Sequence, residues 1–290
     1  MKIQFEKYQA CGNDFVIIDE KVNPGLSDGK RMRLSEILLD RHFSIGGDSL
    51  LCVRTEGDSI RYRVFEAGME IDMCGNGLRC VARYSLGRSG GTFLNIVSKD
   101  GTIRKVTRTE GLFRVAMGPL QPINRFICLE MASRDIVRAD LLCSDSKRQK
   151  ALKNLGLQIK KSYFVNSSEP HLVFWVRDVE PVDLAGAGEE IRGWKEVLPA
   201  GANVDIVQPL GRDSVKIRTY ERGAYHETLC CGTGSVASAF VSRKAFRLES
   251  DRIRVVCQGG EIFIEFDGPD VFMTGPAEKV FSGMIDIRLR

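Results

Sequence analysis

No run of 18 apolar residues occurs anywhere in the 290-residue sequence, which excludes a membrane-spanning helix. No Cys-x2-Cys pair occurs either, and the only histidines are His42, His171 and His226, so the residue sets that make zinc sites are missing and no metal is expected. There is no dinucleotide fingerprint and no Walker sequence, and Gly46-Gly47-Asp48 reads as a turn rather than a phosphate loop. An excess of one charge is also lacking: 42 Lys and Arg against 38 Asp and Glu leave +4, with the signs interleaved, so nothing demands nucleic acid. The opening residues hold no apolar core of a secretory signal, which makes a reducing cytoplasm the expected location.

What is present in quantity is cysteine. The nine are Cys11, Cys52, Cys74, Cys80, Cys128, Cys143, Cys230, Cys231 and Cys257. The number is odd, and a chain of this length with 43% hydrophobic residues can bury ordinary cores without disulfide staples. These are therefore free thiols, most of them small buried hydrophobes, and the question is whether any are reactive.

Short strand-like runs bounded by Gly, Asn, Asp or Pro dominate: Ile3–Tyr8, Phe15–Asp19, Ser49–Arg54 and Ile60–Phe65. After Cys74-Gly-Asn-Gly the apolar spacing becomes helical from Leu78, with Gly87 as the stop, and strands resume at Phe93–Val97, Ile103–Thr107 and Leu112–Met117. Gly118–Pro122 reads as a linker. Beyond it come strands at Phe126–Ala132, Ile136–Cys143, Leu172–Val176, Val204–Gln208 and Val215–Tyr220, and short helices at Ser146–Leu155 and Ile191–Leu198. Cys231-Gly-Thr-Gly then opens a second helix from Ser235, and strands close the chain at Arg252–Cys257, Glu261–Phe266 and Val271–Thr274. The fold class is mixed α+β in two homologous lobes, each with strands around one helix opened by Cys-Gly-x-Gly. The N-terminal lobe spans 1–120 and the C-terminal lobe 121–277, while Val280–Ile287 can pair with either.

The two turns are Met73-Cys74-Gly75-Asn76-Gly77 and Cys230-Cys231-Gly232-Thr233-Gly234. Glycines one and three residues after the cysteine let the chain turn sharply and expose N–H groups at a helix start, which favours anions. A free thiol has a pKa near 8.5, and helix N-termini lower it by about one to several units. One such turn is most simply packing. Two, one per lobe, suggest opposed thiols across an interlobe cleft: one removes a proton from carbon and the other delivers one to the opposite face, with no cofactor. The substrate carboxylate would rest on the exposed N–H groups.

Five ordered motifs carry a family resemblance: Lys7-Tyr-Gln-Ala-Cys-Gly12-Asn13-Asp14-Phe15, Met73-Cys74-Gly75-Asn76-Gly77-Leu-Arg-Cys80, Pro170-His171, Ala202-Asn203-Val204-Asp205, and Glu221-Arg222-Gly223 leading to Glu227-Thr228-Leu-Cys-Cys231-Gly-Thr-Gly234. Together they resemble diaminopimelate epimerase, from residue 3 to about residue 287. The resemblance implies two lobes with a sheet wrapped around a central helix, the last strand (within 278–290) returning to the first lobe, and chemistry independent of pyridoxal phosphate. It implies Cys74 and Cys231 as the catalytic pair, and Asn13, Asn203 and Arg222 as side chains that hold the substrate. It further implies Glu221 and His171 as polar groups beside the thiols, and Gly75, Asn76, Gly232 and Thr233 as backbone donors to the reacting carboxylate. Cys230 stands where the family has Ala and is given no acid–base role. The family often forms homodimers, although nothing in the chain shows which face would pair.

Three departures touch the pocket. The family's Phe-Asn-Ala-Asp-Gly-Ser-Glu is Phe65-Glu66-Ala67-Gly68-Met69-Glu70, so Glu66 replaces an Asn. Gly-Asn-Pro-His is Ser168-Glu169-Pro170-His171, so Glu169 replaces another. Arg-Gly-x-Gly-Glu-Thr is Arg222-Gly-Ala-Tyr225-His226-Glu227-Thr228, longer and bulkier at Tyr225. Two added carboxylates favour a cationic side chain on the substrate. With Asn203 and Arg222 in place, the resemblance still implies epimerisation of L,L-diaminopimelate to the meso form, serving lysine biosynthesis, as the expected activity. The alternatives are racemisation of a basic amino acid such as histidine, lysine or ornithine, or an inactive binding protein of the same fold. A cysteine hydrolase using Cys231 with His171 would leave Cys74, in its matching turn, unexplained.

Overall fold

The computed structural model describes residues 1–120, 136–139, 145–246 and 248–288. The expected strand Phe126–Ala132 and the thiols Cys128 and Cys143 lie outside the described residues, and of the expected strand Ile136–Cys143 only Ile136–Arg138 is described as a strand. Among the described residues no helix is long and apolar enough to cross a membrane. The chain divides into two compact units, Met1–Met117 with Met273–Arg290, and Gly118–Phe272.

In unit 1, β1 (Lys2–Ala10) and β2 (Asn13–Asp19) form a hairpin whose two turn residues, Cys11 and Gly12, both have positive φ (52° and 83°), the twist that suits a two-residue loop. α1 (Asp28–Leu38) follows, capped by Ser27, whose side chain accepts from the Lys30 N–H. Then come β3 (Ser49–Glu56), β4 (Ser59–Glu66), β5 (Met69–Ile71), α2 (Gly75–Ser89), β6 (Phe93–Val97), β7 (Ile103–Thr109) and β8 (Leu112–Ala116). Strands β2 and β3 are parallel, β3 and β4 antiparallel, β4 and β6 parallel, and β6 to β8 a meander. Along β2 the side chains alternate: Val16 and Ile18 pack with Leu34 and Leu38 of α1, leaving Phe15 and Ile17 on the face toward α2. Each fully buried apolar side chain in these layers contributes about 1.5–3 kcal/mol. α2 is the central element, and its wholly buried Arg79 donates to the Pro276 carbonyl at 3.1 Å, tying the helix to the returning C-terminal segment. Gly87 sits inside α2 and does not stop it. The helix ends at Gly90, whose left-handed φ of 72° lets its N–H reach the Leu86 carbonyl.

Unit 2 holds β9 (Ile136–Arg138), α3 (Ser146–Asn154), β10 (Lys161–Asn166), β11 (Pro170–Trp175), α4 (Leu184–Arg192), β12 (Asn203–Pro209), β13 (Ser214–Glu221), β14 (His226–Thr228), α5 (Gly232–Phe246), β15 (Arg252–Cys257) and β16 (Gly260–Asp267). The expected helix Ile191–Leu198 is instead α4, which begins earlier because Asp183 caps it. Trp194 and Leu198 enter the core from the turns that follow. β17 (Asp270–Gly275) runs across the boundary between the units in sequence, and β18 (Glu278–Asp286) pairs antiparallel with β1.

The two units repeat one topology. In unit 2, β11 and β12 are parallel, β12 and β13 antiparallel, and β13 and β15 parallel around α5, as β2, β3, β4 and β6 are around α2. Register fixes the equivalences. Phe15 lies opposite Ser49 and His171 opposite Asn203, while Leu51 lies opposite Val64 and Asp205 opposite Thr219. His171, Asp205 and Thr219 therefore hold the places of Phe15, Leu51 and Val64, and Glu221 holds the place of Glu66.

Candidate active site

In unit 1, Cys74 caps α2 in an extended conformation (φ −135°, ψ 113°), and its sulfur accepts the Gly77 N–H at 3.4 Å while its carbonyl accepts from Leu78 at 2.9 Å. A Cβ on Gly75 would lie 2.7 Å from the methyl carbon of Met273, so a larger residue there would have to displace that side chain. Asn13, directly after the β1–β2 turn, places its Oδ1 at 4.0 Å from the Cys74 sulfur and 3.3 Å from the Asn76 amide nitrogen. That orientation is imposed from behind: Asn13 Nδ2 donates to the Asp48 carboxylate at 2.5 Å. Asp48 in turn accepts the Asp14 N–H and pairs with Arg41, which also pairs with Asp14. The Gly46-Gly47-Asp48 turn is thus the buttress of Asn13, a role that no local pattern announces.

In unit 2, Cys231 repeats the Cys74 geometry before α5. Its sulfur accepts the Gly234 N–H at 3.4 Å and its carbonyl the Ser235 N–H at 2.9 Å. The sulfur also lies 3.4 Å from Thr233 Oγ1. His171 and Asp205, both wholly buried, meet at 2.7 Å through Nδ1 and Oδ2, and His171 Nε2 lies 3.0 Å from Thr233 Oγ1. Asn203 accepts the Arg222 N–H at 2.7 Å and turns its amide nitrogen to the Pro170 carbonyl (3.2 Å) and to His171 Nε2 (3.3 Å). Glu221 takes the Thr228 hydroxyl at 2.5 Å. Sequence reasoning missed Asp205, Thr219 and Thr228, since only strand register brings them here.

The electrostatics of the two turns need separating from the helix-start argument. The Cys231 thiol is pushed well above its usual range, first by burial and then by the nearby carboxylates of Glu221 and Asp205, which together outweigh the Thr233 hydroxyl and the Gly234 N–H. The expected lowering at a helix N-terminus therefore fails at Cys231, because desolvation in a carboxylate-lined site exceeds what one N–H and half a dipole charge restore. Burial also raises the Glu221 carboxyl, against hydrogen bonds from Thr228 and Cys231. Burial thus disfavours the charged form of both the Cys231 thiol and the Glu221 carboxyl beside it.

The three departures fall differently. Glu169 pairs with Arg222 at 2.5 Å, and Arg222 also donates to the Ala200 carbonyl at 2.9 Å, so Glu169 does not present a lone charge to a ligand. Glu66 is exposed at the end of β4. Tyr225, at a left-handed φ of 55°, is 52% exposed with the Arg192 guanidinium 4.9 Å from its ring centre. It lines a cavity of about 360 Å³ with Arg192, Lys195, Tyr220 and Arg222 and is set apart from the Cys231 contacts.

Comparison with known proteins gives the family of the chain. The family described as Diaminopimelate epimerase matches residues 5–123 and 163–280. The diaminopimelate epimerase of Methanocella arvoryzae is 34% identical over 99% of this chain and 98% of its own length. That of Aromatoleum aromaticum is 36% identical over 99% of this chain and all of its own. Among solved structures, a phenazine biosynthesis protein of the PhzF family from Bacillus anthracis shares the fold, with a TM-score of 0.73 at 17% identity over 99% of this chain and 100% of its own. The chain belongs to the diaminopimelate epimerase family.

Proposed function

We propose that this protein is a cofactor-independent epimerase that inverts one α carbon of diaminopimelate, converting the L,L form to the meso form in the making of lysine. The observation that carries the reading is the duplicated thiol geometry: Cys74 and Cys231 each stand before a helix, each with an N–H at 3.4 Å on sulfur. Equivalent backbone positions suit a reaction whose two directions exchange the roles of acid and base.

The Cys231 sulfur, buried beside Glu221 and Asp205, rests as a thiol. Glu221 takes the Cys231 proton. The Cys231 thiolate then breaks the α C–H bond, and the electron pair moves into the substrate carboxylate as an enediolate. The first N–H groups of α2 and α5, at Gly75, Asn76, Gly232 and Thr233, hold that charge. The Cys74 thiol delivers its proton to the opposite face. Asn203 and Arg222 hold the rest of the substrate. Because oxidation of either sulfur would end the reaction, the protein belongs in a reducing compartment such as the cytoplasm.

The reading of a basic amino acid as substrate loses one of its two supporting carboxylates, because Glu169 is paired with Arg222. Assay of L,L- and meso-diaminopimelate beside L-histidine, L-lysine and L-ornithine, following α-deuterium uptake, decides the matter. Turnover of diaminopimelate supports the proposal; inversion of a basic amino acid with no diaminopimelate turnover overturns it. A homodimer built on β18 completes the proposal, supported by the apolar side chains this strand exposes, Val280 at 55% and Met284 at 64%.

A further inference from the structure

The internal repeat supplies a control for the polar cluster beneath Cys231. Under the second glycine of each Cys-Gly-x-Gly turn lies one side chain from the parallel strand pair. In unit 1 it is Leu51, whose Cδ2 would be 3.2 Å from a Cβ on Gly77. In unit 2 it is Asp205, whose Oδ1 would be 2.5 Å from a Cβ on Gly234. The neighbours change with it. Phe15 and Val64, both buried in unit 1, are His171 and Thr219 in unit 2. The fold is satisfied at these three places by apolar side chains, so the buried His171–Asp205–Thr219 set, which costs desolvation, is not required for packing.

Hydrogen-bond logic starting from the backbone fixes the protons in this set. The Arg222 N–H can only donate, so the Asn203 atom that meets it at 2.7 Å is the carbonyl oxygen, and the other atom is the amide nitrogen. That nitrogen can only donate, so His171 Nε2, 3.3 Å away, is an acceptor. The imidazole is therefore neutral with its proton on Nδ1, donated to Asp205 Oδ2 at 2.7 Å. Asp205 Oδ1 accepts from the Thr219 hydroxyl at 2.7 Å, which pins the carboxylate. Nε2 has a single lone pair, and the Thr233 hydroxyl at 3.0 Å is the nearer donor to it than Asn203 at 3.3 Å, whose amide also has the Pro170 carbonyl. The hydroxyl therefore turns its hydrogen toward His171 and its lone pairs toward the Cys231 sulfur at 3.4 Å.

We infer that Asp205 is a positioning residue for the reaction: by holding His171 as the Nδ1–H tautomer it draws the Thr233 hydroxyl hydrogen away from Cys231. The consequence is chemical. A thiolate that receives the Thr233 hydrogen bond is a weaker base, and one denied it is a stronger base. With the opposite tautomer, Nε2–H would donate to Thr233 and the hydroxyl would turn to the sulfur. The other groups facing Cys231 from the packed strands are Glu221 on β13 and Asp205 itself on β12, both of which act against the thiolate. The inference rests on the two-thiol reading for its kinetic consequence, but its structural content does not.

Nitrogen-15 NMR of the side chains tests it, with only three histidines to assign. Wild-type His171 should show a protonated Nδ1 and an unprotonated Nε2 near pH 8. Asp205→Asn offers a carbonyl in the same place, so the tautomer stays and α-hydrogen exchange remains within about tenfold of wild type. Asp205→Leu with Thr219→Val copies the Leu51 and Val64 arrangement of unit 1. There a buried Nδ1–H would have no acceptor, whereas the Asn203 amide still has the Pro170 carbonyl at 3.2 Å if it gives up its 3.3 Å contact with Nε2. The proton should therefore move to Nε2, exchange should fall about 100-fold in kcat with KM nearly unchanged, and Cys231 should be alkylated faster than in wild type. Wild-type His171 carrying its proton on Nε2, or a Leu–Val variant that keeps Nδ1–H, overturns the inference. If no amino acid exchanges its α-hydrogen with the wild-type protein, the proposed function falls, while the tautomer and alkylation results still judge Asp205.

Discussion

The Glu169 carboxylate meets the Arg222 guanidinium at 2.5 Å, with the two side chains 48% and 34% exposed. A pair this open is worth at most about 1 kcal/mol. If Arg222 clamps a substrate carboxylate as proposed, that carboxylate competes with Glu169 for the guanidinium. Glu169→Asn should lower KM for L,L-diaminopimelate by up to about fivefold, the factor that 1 kcal/mol sets, with kcat retained. A steady-state series in which KM rises would show that Glu169 itself contacts the substrate.

The raised Glu221 carboxyl makes stability depend on pH with a definite sign. Below the ordinary carboxylate value of 4.5 the group is protonated folded or unfolded and has no effect. Above it the unfolded chain ionises first, so the native state loses stability progressively up to the raised native value and carries the full penalty beyond it. Glu221→Gln should therefore melt higher than wild type at pH 8, and the gap should close by pH 4. Thermal denaturation at the two values checks this, and inversion activity should be lost in the variant at both.

Burial and carboxylates keep Cys231 a thiol through the neutral range. Its alkylation by iodoacetamide, read by peptide mass spectrometry, should still climb about tenfold per pH unit through pH 9, as expected when the thiolate is the reactive species and remains a minor one. A rate that levels off near neutral pH would mark a low-pKa thiol.

Ser168 adopts a left-handed φ of 82°, a conformation that costs a residue with a Cβ about 1 kcal/mol and costs glycine little. Ser168→Gly should stabilise the protein by about 0.5–1 kcal/mol in urea unfolding, less the entropy that glycine adds to the unfolded chain. On the proposed dimer surface, Met284→Asp should shift the mass in light scattering from two chains to one without loss of secondary structure.

The Cys-Gly-x-Gly turns were readable because the helix start needs those glycines wherever it occurs, and the strands flanking them follow from apolar runs closed by turn residues. α1 was not readable: it buries only Leu34, Ser35 and Leu38, too thin a stripe to announce a helix. Gly90 rather than Gly87 ends α2 because the left-handed cap is needed only where the last carbonyls lack partners. Asp205 and Thr219 lie 14 residues apart and meet through strand register, and the displacement of Cys231 upward depends on burial among carboxylates that local sequence does not display.

The central claim is that both thiols act on one carbon. Cys74→Ser and Cys231→Ser, each assayed with L,L-diaminopimelate in deuterium oxide, test it most directly. Each variant should lose inversion by about 100-fold or more while keeping the wild-type fold. Either variant inverting its substrate at near wild-type rate, with deuterium still entering the α position, would contradict two-thiol catalysis.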